Sequence, residues 1–254
     1  MNAMRFLVRY KKAKKSKWCY KGVSVRFGKI AYLNLLPFDV FIKKYPTPCY
    51  FKTFLGLRKS YPARLNKDFL YKRIDAGFIS SIAGYESMRL NKATNAGIIA
   101  RGAVWSVIAI HNPKQKDDYQ SASSNALAKV LDVRGEILIG DRALAYKLSH
   151  NENSYIDLGQ KWWDAHHLGF SFGRLCFNKN AKFYTTMAQS FVNKRIKIPH
   201  YILQQRAIES GIAKKDILAY LEHIHYKIGK KEKLVLSRFY AKLRLKGIKK
   251  PSRF

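Results

Sequence analysis

The chain has 254 residues, 47% hydrophobic and 14% aromatic, enough apolar material for one large or two small folded domains and too much for a disordered tail. Its 49 Lys and Arg against 16 Asp and Glu give a formal charge of +33. Three cysteines lack CxxC spacing, and the pairs His166/His167 and His223/His225 lack a third ligand at metal spacing, which argues against a disulfide scaffold and against bound metal.

In chain order, residues 1–22 are a basic extension in which only Phe6-Leu7-Val8 stand together as an apolar run. A secretory signal needs roughly 7–15 apolar residues, so a cytoplasmic location is expected. Val23–Ile30 alternates like a strand and runs through Asn34 into a helix opened by Leu35-Leu36-Pro37, with Asn34 as its cap. Tyr50–Phe54 is a further strand candidate and Ala63–Lys72 a helix. Ile74–Ile79 is a buried strand, after which Ser80-Ser81 stand where a helix would begin, placed either to cap it or to meet an anion. Ala96–Ala100 and Ala103–Ile110 are apolar runs broken at Arg101-Gly102, too short to span a bilayer at roughly 20 residues.

After a polar loop at 111–120, Ser121–Asn125 opens a second serine-rich helix start before Ala126–Leu131. Ile137–Ile139 is a brief strand ending at Gly140-Asp141, with Asp141 as cap of a helix over Ala143–Leu148. Tyr155–Leu158 reads as a strand, Lys161–His166 as a helix carrying Trp162-Trp163, and Gly169–Phe177 as a strand. The two tryptophans and Cys176 are assigned to packing. From residue 179 the pattern is helical, over 181–194, 201–210, 214–225 and 232–246.

Alternating strands and helices imply an α/β protein with mainly parallel sheets, whose ligands gather beyond the carboxyl ends of strands. Asn34, Ser80-Ser81, Ser123-Ser124 and Gly140-Asp141 all fall at such junctions. Charge divides the chain as well. The first 38 residues hold ten basic residues and no acid, the last 28 hold eleven against Glu232 alone, and Ser106–Arg174 balances eight against eight. That distribution suggests two bodies, and its basic part also suits nucleic acid or an anionic membrane.

Taken in order, GKIAYLNLLP at 28–37, IDAGFISSIAGY at 74–85, VWSVIAI at 104–110, SASSNALAKVL at 121–131, ILIGDRAL at 137–144, YIDLGQKWW at 155–163 and FSFGRLCF at 170–177 resemble the chorismate dehydratase family of the futalosine route to menaquinone. The resemblance implies a two-lobed fold like that of the type II periplasmic binding proteins, with a central cleft and a C-terminal helical segment. Lobe 1 would comprise 23–105 plus 175–254, and lobe 2 the inserted 106–174. Ser121-Ala122-Ser123-Ser124 replaces the family's usual Ser-Ala-Thr-Ser, and the short link from Leu131 to Ile137 implies a trimmed second lobe.

The implied reaction removes water from chorismate to give 3-[(1-carboxyvinyl)oxy]benzoate, with no cofactor. Ser80, Ser81 and Ser106 would hold one substrate carboxylate, Ser123 and Ser124 the other, beside Gly140 and Asp141. Asn34 would orient the departing hydroxyl or the enolpyruvyl group. Asp141 is the only carboxylate among the site residues that the resemblance implies and reads as a cap, so a carboxylate of the substrate itself is expected to take the ring proton. Two other readings stand: a small-anion-binding protein of the same fold without catalysis, and a nucleic-acid-binding protein favoured by charge alone. Neither a membrane nor a nucleic-acid partner is expected.

Overall fold

The computed structural model describes residues 26–47 and 59–251. The basic extension, the start of the Val23 strand, the Tyr50–Phe54 strand, Cys19 and Cys49 lie outside the described residues.

Two sheets organise the molecule. The larger has the order β2 (Lys59–Ser60), β1 (Phe27–Ile30), β3 (Ala76–Ser80), β8 (Phe170–Phe177), β4 (Ala93–Ala100) and β9 (Ile224–Lys227). The smaller has the order β6 (Glu136–Ile139), β5 (Val107–Ile110) and β7 (Tyr155–Asp157). The expectation of mainly parallel sheets is corrected. Among the described strands only β1 pairs in parallel, with β2 and β3, whereas β8 runs antiparallel to both β3 and β4, and β9 antiparallel to β4. In the small sheet both pairings of β5 are antiparallel. The cause is topological: β4 carries the chain toward the small sheet and β8 brings it back, so the returning strand must point the other way.

The helices close the sheet faces: α1 (Leu36–Lys44), α2 (Pro62–Leu70), α3 (Tyr85–Arg89), α4 (Ala122–Val130), α5 (Gly140–Ser149), α6 (Leu158–His166), α7 (Ala181–Val192), α8 (His200–Ser210), α9 (Lys214–Glu222) and α10 (Lys230–Leu245). α1 starts at a proline in its first turn and ends on Lys43 and Lys44, both suited to the helix dipole. Its Phe38 ring lies 5.7 Å from Phe27, 5.1 Å from Phe78 and 5.2 Å from Phe191, which ties β1, β3 and α7 into one core. Trp162 and Cys176 are fully buried, as packing residues should be.

The C-terminal pattern departs from expectation at one point. The helix expected over 214–225 ends at Glu222, and Ile224–Lys227 instead adds a strand to the free edge of β4. The segment pairs along the open edge of β4, and that pairing overrides helix propensity. No helix among the described residues is long and apolar enough to cross a membrane.

Candidate active site between the two sheets

A pocket of about 500 Å³, counted out to its mouth, lies where the ends of β1, β3 and β6 meet the start of α4. Its polar wall is Tyr32, Asn34, Ser80, Ser106, Ser121 and Ser124, and its apolar wall includes Ile30, Ile98, Val104, Ile139 and Phe172. None of the described lining residues is charged.

Asn34 does not cap α1. It sits inside a 3₁₀ turn, Leu33–Leu35, and its backbone carbonyl accepts a 2.6 Å hydrogen bond from Tyr226 Oη. Its side chain lines the pocket, and Oδ1 is buried with no hydrogen-bond partner among the described residues. A buried acceptor left unpaired costs about 1–3 kcal/mol, so it is a ready partner for a ligand hydroxyl.

Ser80 and Ser81 do not open a helix. β3 ends at Ser80, a turn follows, and α3 begins only at Tyr85, because Ser81 stays paired to the neighbouring strand through its N–H to the Phe172 carbonyl. Ser80 faces the pocket. The Ser81 hydroxyl points the other way and donates to the Ser171 carbonyl at 2.5 Å, fully buried outside the pocket. Successive residues on a strand face opposite sides, which separates the two.

Ser123 and Ser124 separate in the same manner on α4. Ser124 lines the pocket, while Ser123 Oγ accepts the N–H of Ile82 at 3.0 Å and so joins α4 to the large sheet. Ser121 is the N-cap, taking the Ser124 N–H at 3.1 Å, and it also lines the pocket. Ser106 lines it at the crossing between the sheets, with Tyr220 Oη 2.8 Å from its Oγ and its carbonyl accepting the Gly140 N–H.

Asp141 does not cap α5, whose N-cap is Ile139. Its carboxylate reaches across to accept the Leu33 N–H at 2.9 Å, capping the 3₁₀ turn that carries Asn34. Burial raises its pKa above the usual carboxylate range, opposed by that N–H and by the charges of Arg206 and Lys59. Gly140 lines the pocket at φ +66, a conformation that favours glycine, and it lies so near the Tyr32 ring that a Cβ would come within 2.8 Å of it.

Positive charge stands behind the pocket. Lys29 meets Asp39 at 2.7 Å, and Arg206, 4.0 Å from the same carboxylate, donates to the Ala31 carbonyl. Asp39 is nevertheless raised in pKa by its burial. Tyr32 and Ser121, which the sequence reading passed over as site residues, lie within the motifs that carried the resemblance.

The arrangement suits a small anion held by hydroxyls and helix ends. The family model for menaquinone biosynthesis matches residues 108–244. A chorismate dehydratase of Campylobacter jejuni subsp. jejuni is 44% identical over 216 residues, covering 84% of this chain and 95% of the relative. A protein from Archaeoglobus fulgidus is similar in fold, with a TM-score of 0.62 at 11% identity over 89% of this chain and 98% of that one. So is the alkanesulfonate-binding protein SsuA of Xanthomonas axonopodis pv. citri, with a TM-score of 0.55 at 12% identity over 90% and 94%. The periplasmic aliphatic sulphonate binding protein of Escherichia coli gives 0.51 at 14% identity over 90% of each chain, so the two-lobed binding-protein architecture is shared. With the family model over more than half of its length and that relative along most of it, the chain belongs to the menaquinone-biosynthesis family that includes a chorismate dehydratase.

Proposed function

We propose that this chain is a chorismate dehydratase, a hydro-lyase of the cytoplasm that needs no cofactor and acts without a nucleic-acid or membrane partner. The observation that carries the reading is an uncharged, hydroxyl-lined pocket between two sheets in which Asn34 Oδ1 is buried and has no partner among the described residues. The substrate is a dianion with a ring hydroxyl, and it offers a donor where the pocket has an unused acceptor.

In the reaction the ring C–O bond breaks and hydroxide leaves with its electron pair. The hydrogen on the adjacent ring carbon leaves as a proton, and its bonding pair closes the aromatic ring. Proton and hydroxide together make the released water. Asn34 would orient the departing hydroxyl. Ser80 and Ser106 would hold one carboxylate and Ser124, with Ser121 at the start of α4, the other. Each charge-assisted hydrogen bond of this kind is worth about 1.5–3 kcal/mol. Ser81 and Ser123 act through the backbone around the site. Asp141, its carboxylate engaged by the Leu33 N–H, holds the Asn34 turn in place. The proton acceptor is then a carboxylate of the substrate, and the protein's task is orientation in a closed, dry site. The closing bodies would be lobe 1, 23–105 with 175–254, and the inserted lobe 2, 106–174.

The test is incubation with chorismate and mass detection of the product. Loss of one water with growth of an aromatic absorbance, weakened in Asn34→Ala, supports the reading. Tight binding with intact chorismate would make this a binding protein without catalysis. No binding would return the charge of +33 to consideration through a salt titration with nucleic acid.

A further inference from the structure

The pocket serines differ from ordinary surface hydroxyls in what stands behind them. A serine oxygen both donates and accepts, so it serves an anion only if its hydrogen points forward. Asn66, on α2 and 3% exposed, meets Ser80 twice: its Oδ1 accepts the Ser80 N–H at 3.0 Å, and its Nδ2 lies 2.7 Å from Ser80 Oγ. The direction of the second bond is forced. A backbone N–H can only donate, so the amide oxygen must face it, and the amide nitrogen must then donate to the hydroxyl oxygen. Ser80 therefore receives a hydrogen bond from behind, and its own hydrogen is left for the pocket that it lines.

Ser106 repeats the pattern with a different partner. Tyr220, on α9 and 1% exposed, has its hydroxyl 2.8 Å from Ser106 Oγ. A phenol is the stronger donor of the two and an alkyl hydroxyl the stronger acceptor, so the tyrosine donates. Ser121 Oγ, which already accepts the Ser124 N–H, donates in turn to Ser124 Oγ at 2.8 Å.

We infer that Asn66 and Tyr220 are positioning residues that polarise the pocket: by donating to the oxygens of Ser80 and Ser106 they turn both serines into donors toward an anionic ligand. Neither residue lines the pocket, and both act through a serine that does. The inference rests on the proposed dehydratase reading, in that the anion is taken to be the substrate's carboxylate. It adds a source of selectivity, because a pocket of forward donors favours carboxylate oxygens over neutral esters or amides of the same shape.

The deciding variant is Asn66→Asp, which keeps the shape. Near neutral pH the introduced carboxylate accepts from both the Ser80 N–H and the Ser80 O–H, so it draws the hydroxyl hydrogen out of the pocket. Protonated, it regains one donor and reproduces the amide pattern. Binding of chorismate, measured by calorimetry between pH 5 and 8, should weaken on the order of tenfold or more at pH 8 and recover toward the parent as pH falls. The parent should show no such recovery. Parent-like affinity at every pH overturns the inference, as does a loss that acid does not restore.

Should Asn66→Asp fail to fold, Tyr220→Phe carries the test. It should weaken binding several-fold in the parent and have no further effect in a Ser106→Ala background. Equal effects in both backgrounds, or none in either, overturn the inference. Turnover of chorismate by the parent is measured alongside, so that failure of the substrate reading is seen separately from failure of the polarity.

Discussion

Replacing Gly140 with alanine should drive a wedge into the closed cleft. Gly140 has φ +66, where an L-residue is strained by about 1–2 kcal/mol. A Cβ there would come within 2.8 Å of Cδ1, Cε1 and Cε2 of the Tyr32 ring, far inside van der Waals contact. Gly140 opens α5 above the small sheet, while Tyr32 follows β1 of the large one, so the collision exists only when the two are together. The ring cannot swing aside freely, because its hydroxyl donates to Gln120 Oε1 at 2.5 Å, a bond worth about 1 kcal/mol. The backbone strain belongs to the fold and should lower Tm by about 2–8 °C, at 2–4 °C per kcal/mol for a chain of this size. The collision belongs to closure and should appear in binding, weakening chorismate about fivefold or more. Thermal unfolding with and without chorismate separates the two, since the ligand-induced rise in Tm should shrink in the variant. A variant with the parent's Tm and the parent's affinity would refute both parts. A lowered Tm with unchanged affinity would keep the strain and remove the wedge.

Ser121→Ala should cost about 1 kcal/mol by freeing the Ser124 N–H at the start of α4, read as a Tm lower by about 2–4 °C, and an unshifted Tm would deny the cap its role. Asp141 has its pKa raised above the ordinary 3.8 by burial, so between those two values the folded chain binds more protons than the unfolded one. The parent should therefore lose stability relative to Asp141→Asn as pH rises from 3.8 through the raised pKa, and parallel urea-unfolding profiles would contradict this. Retained binding with turnover abolished in the same variant would make Asp141 the base in place of the substrate carboxylate. Burial pushes the Cys176 thiol up to about 12, so with Cys19 and Cys49 changed to serine a thiol reagent at pH 8 should label the chain only after it unfolds.

The junctions that frame the pocket were legible in the sequence because strand ends and helix starts carry local signatures. Which of two adjacent serines faces inward was not. Ser80 and Ser81 differ only by the parity of the pleat, and Ser123 and Ser124 by one step of about 100° around a helix, so their facing depends on where each element packs. The donors behind the serines were hidden for another reason. Asn66 is 14 positions from Ser80, and Tyr220 is 114 from Ser106, so neither pairing has a local pattern. Asp141 was seen as a cap, yet the turn it caps belongs to the other end of the cleft, 108 positions away. The sheet direction was misjudged because alternation of strands and helices describes β1 to β3 well, whereas strand β8 enters the sheet from a distant part of the chain.

That late strand has a consequence for synthesis. β8 lies between β3 and β4 and supplies the hydrogen bonds for one edge of each. A ribosome making about 5–20 residues per second needs roughly 4–14 s to pass from the end of β4 to the start of β8. Through that interval the small sheet and its helices can be completed as far as His166, while β3 and β4 wait with facing edges unpaired. The inserted body is thus free to fold first and then draw β8 into the gap, and the nascent chain is most exposed to edge-to-edge aggregation before residue 177 has emerged.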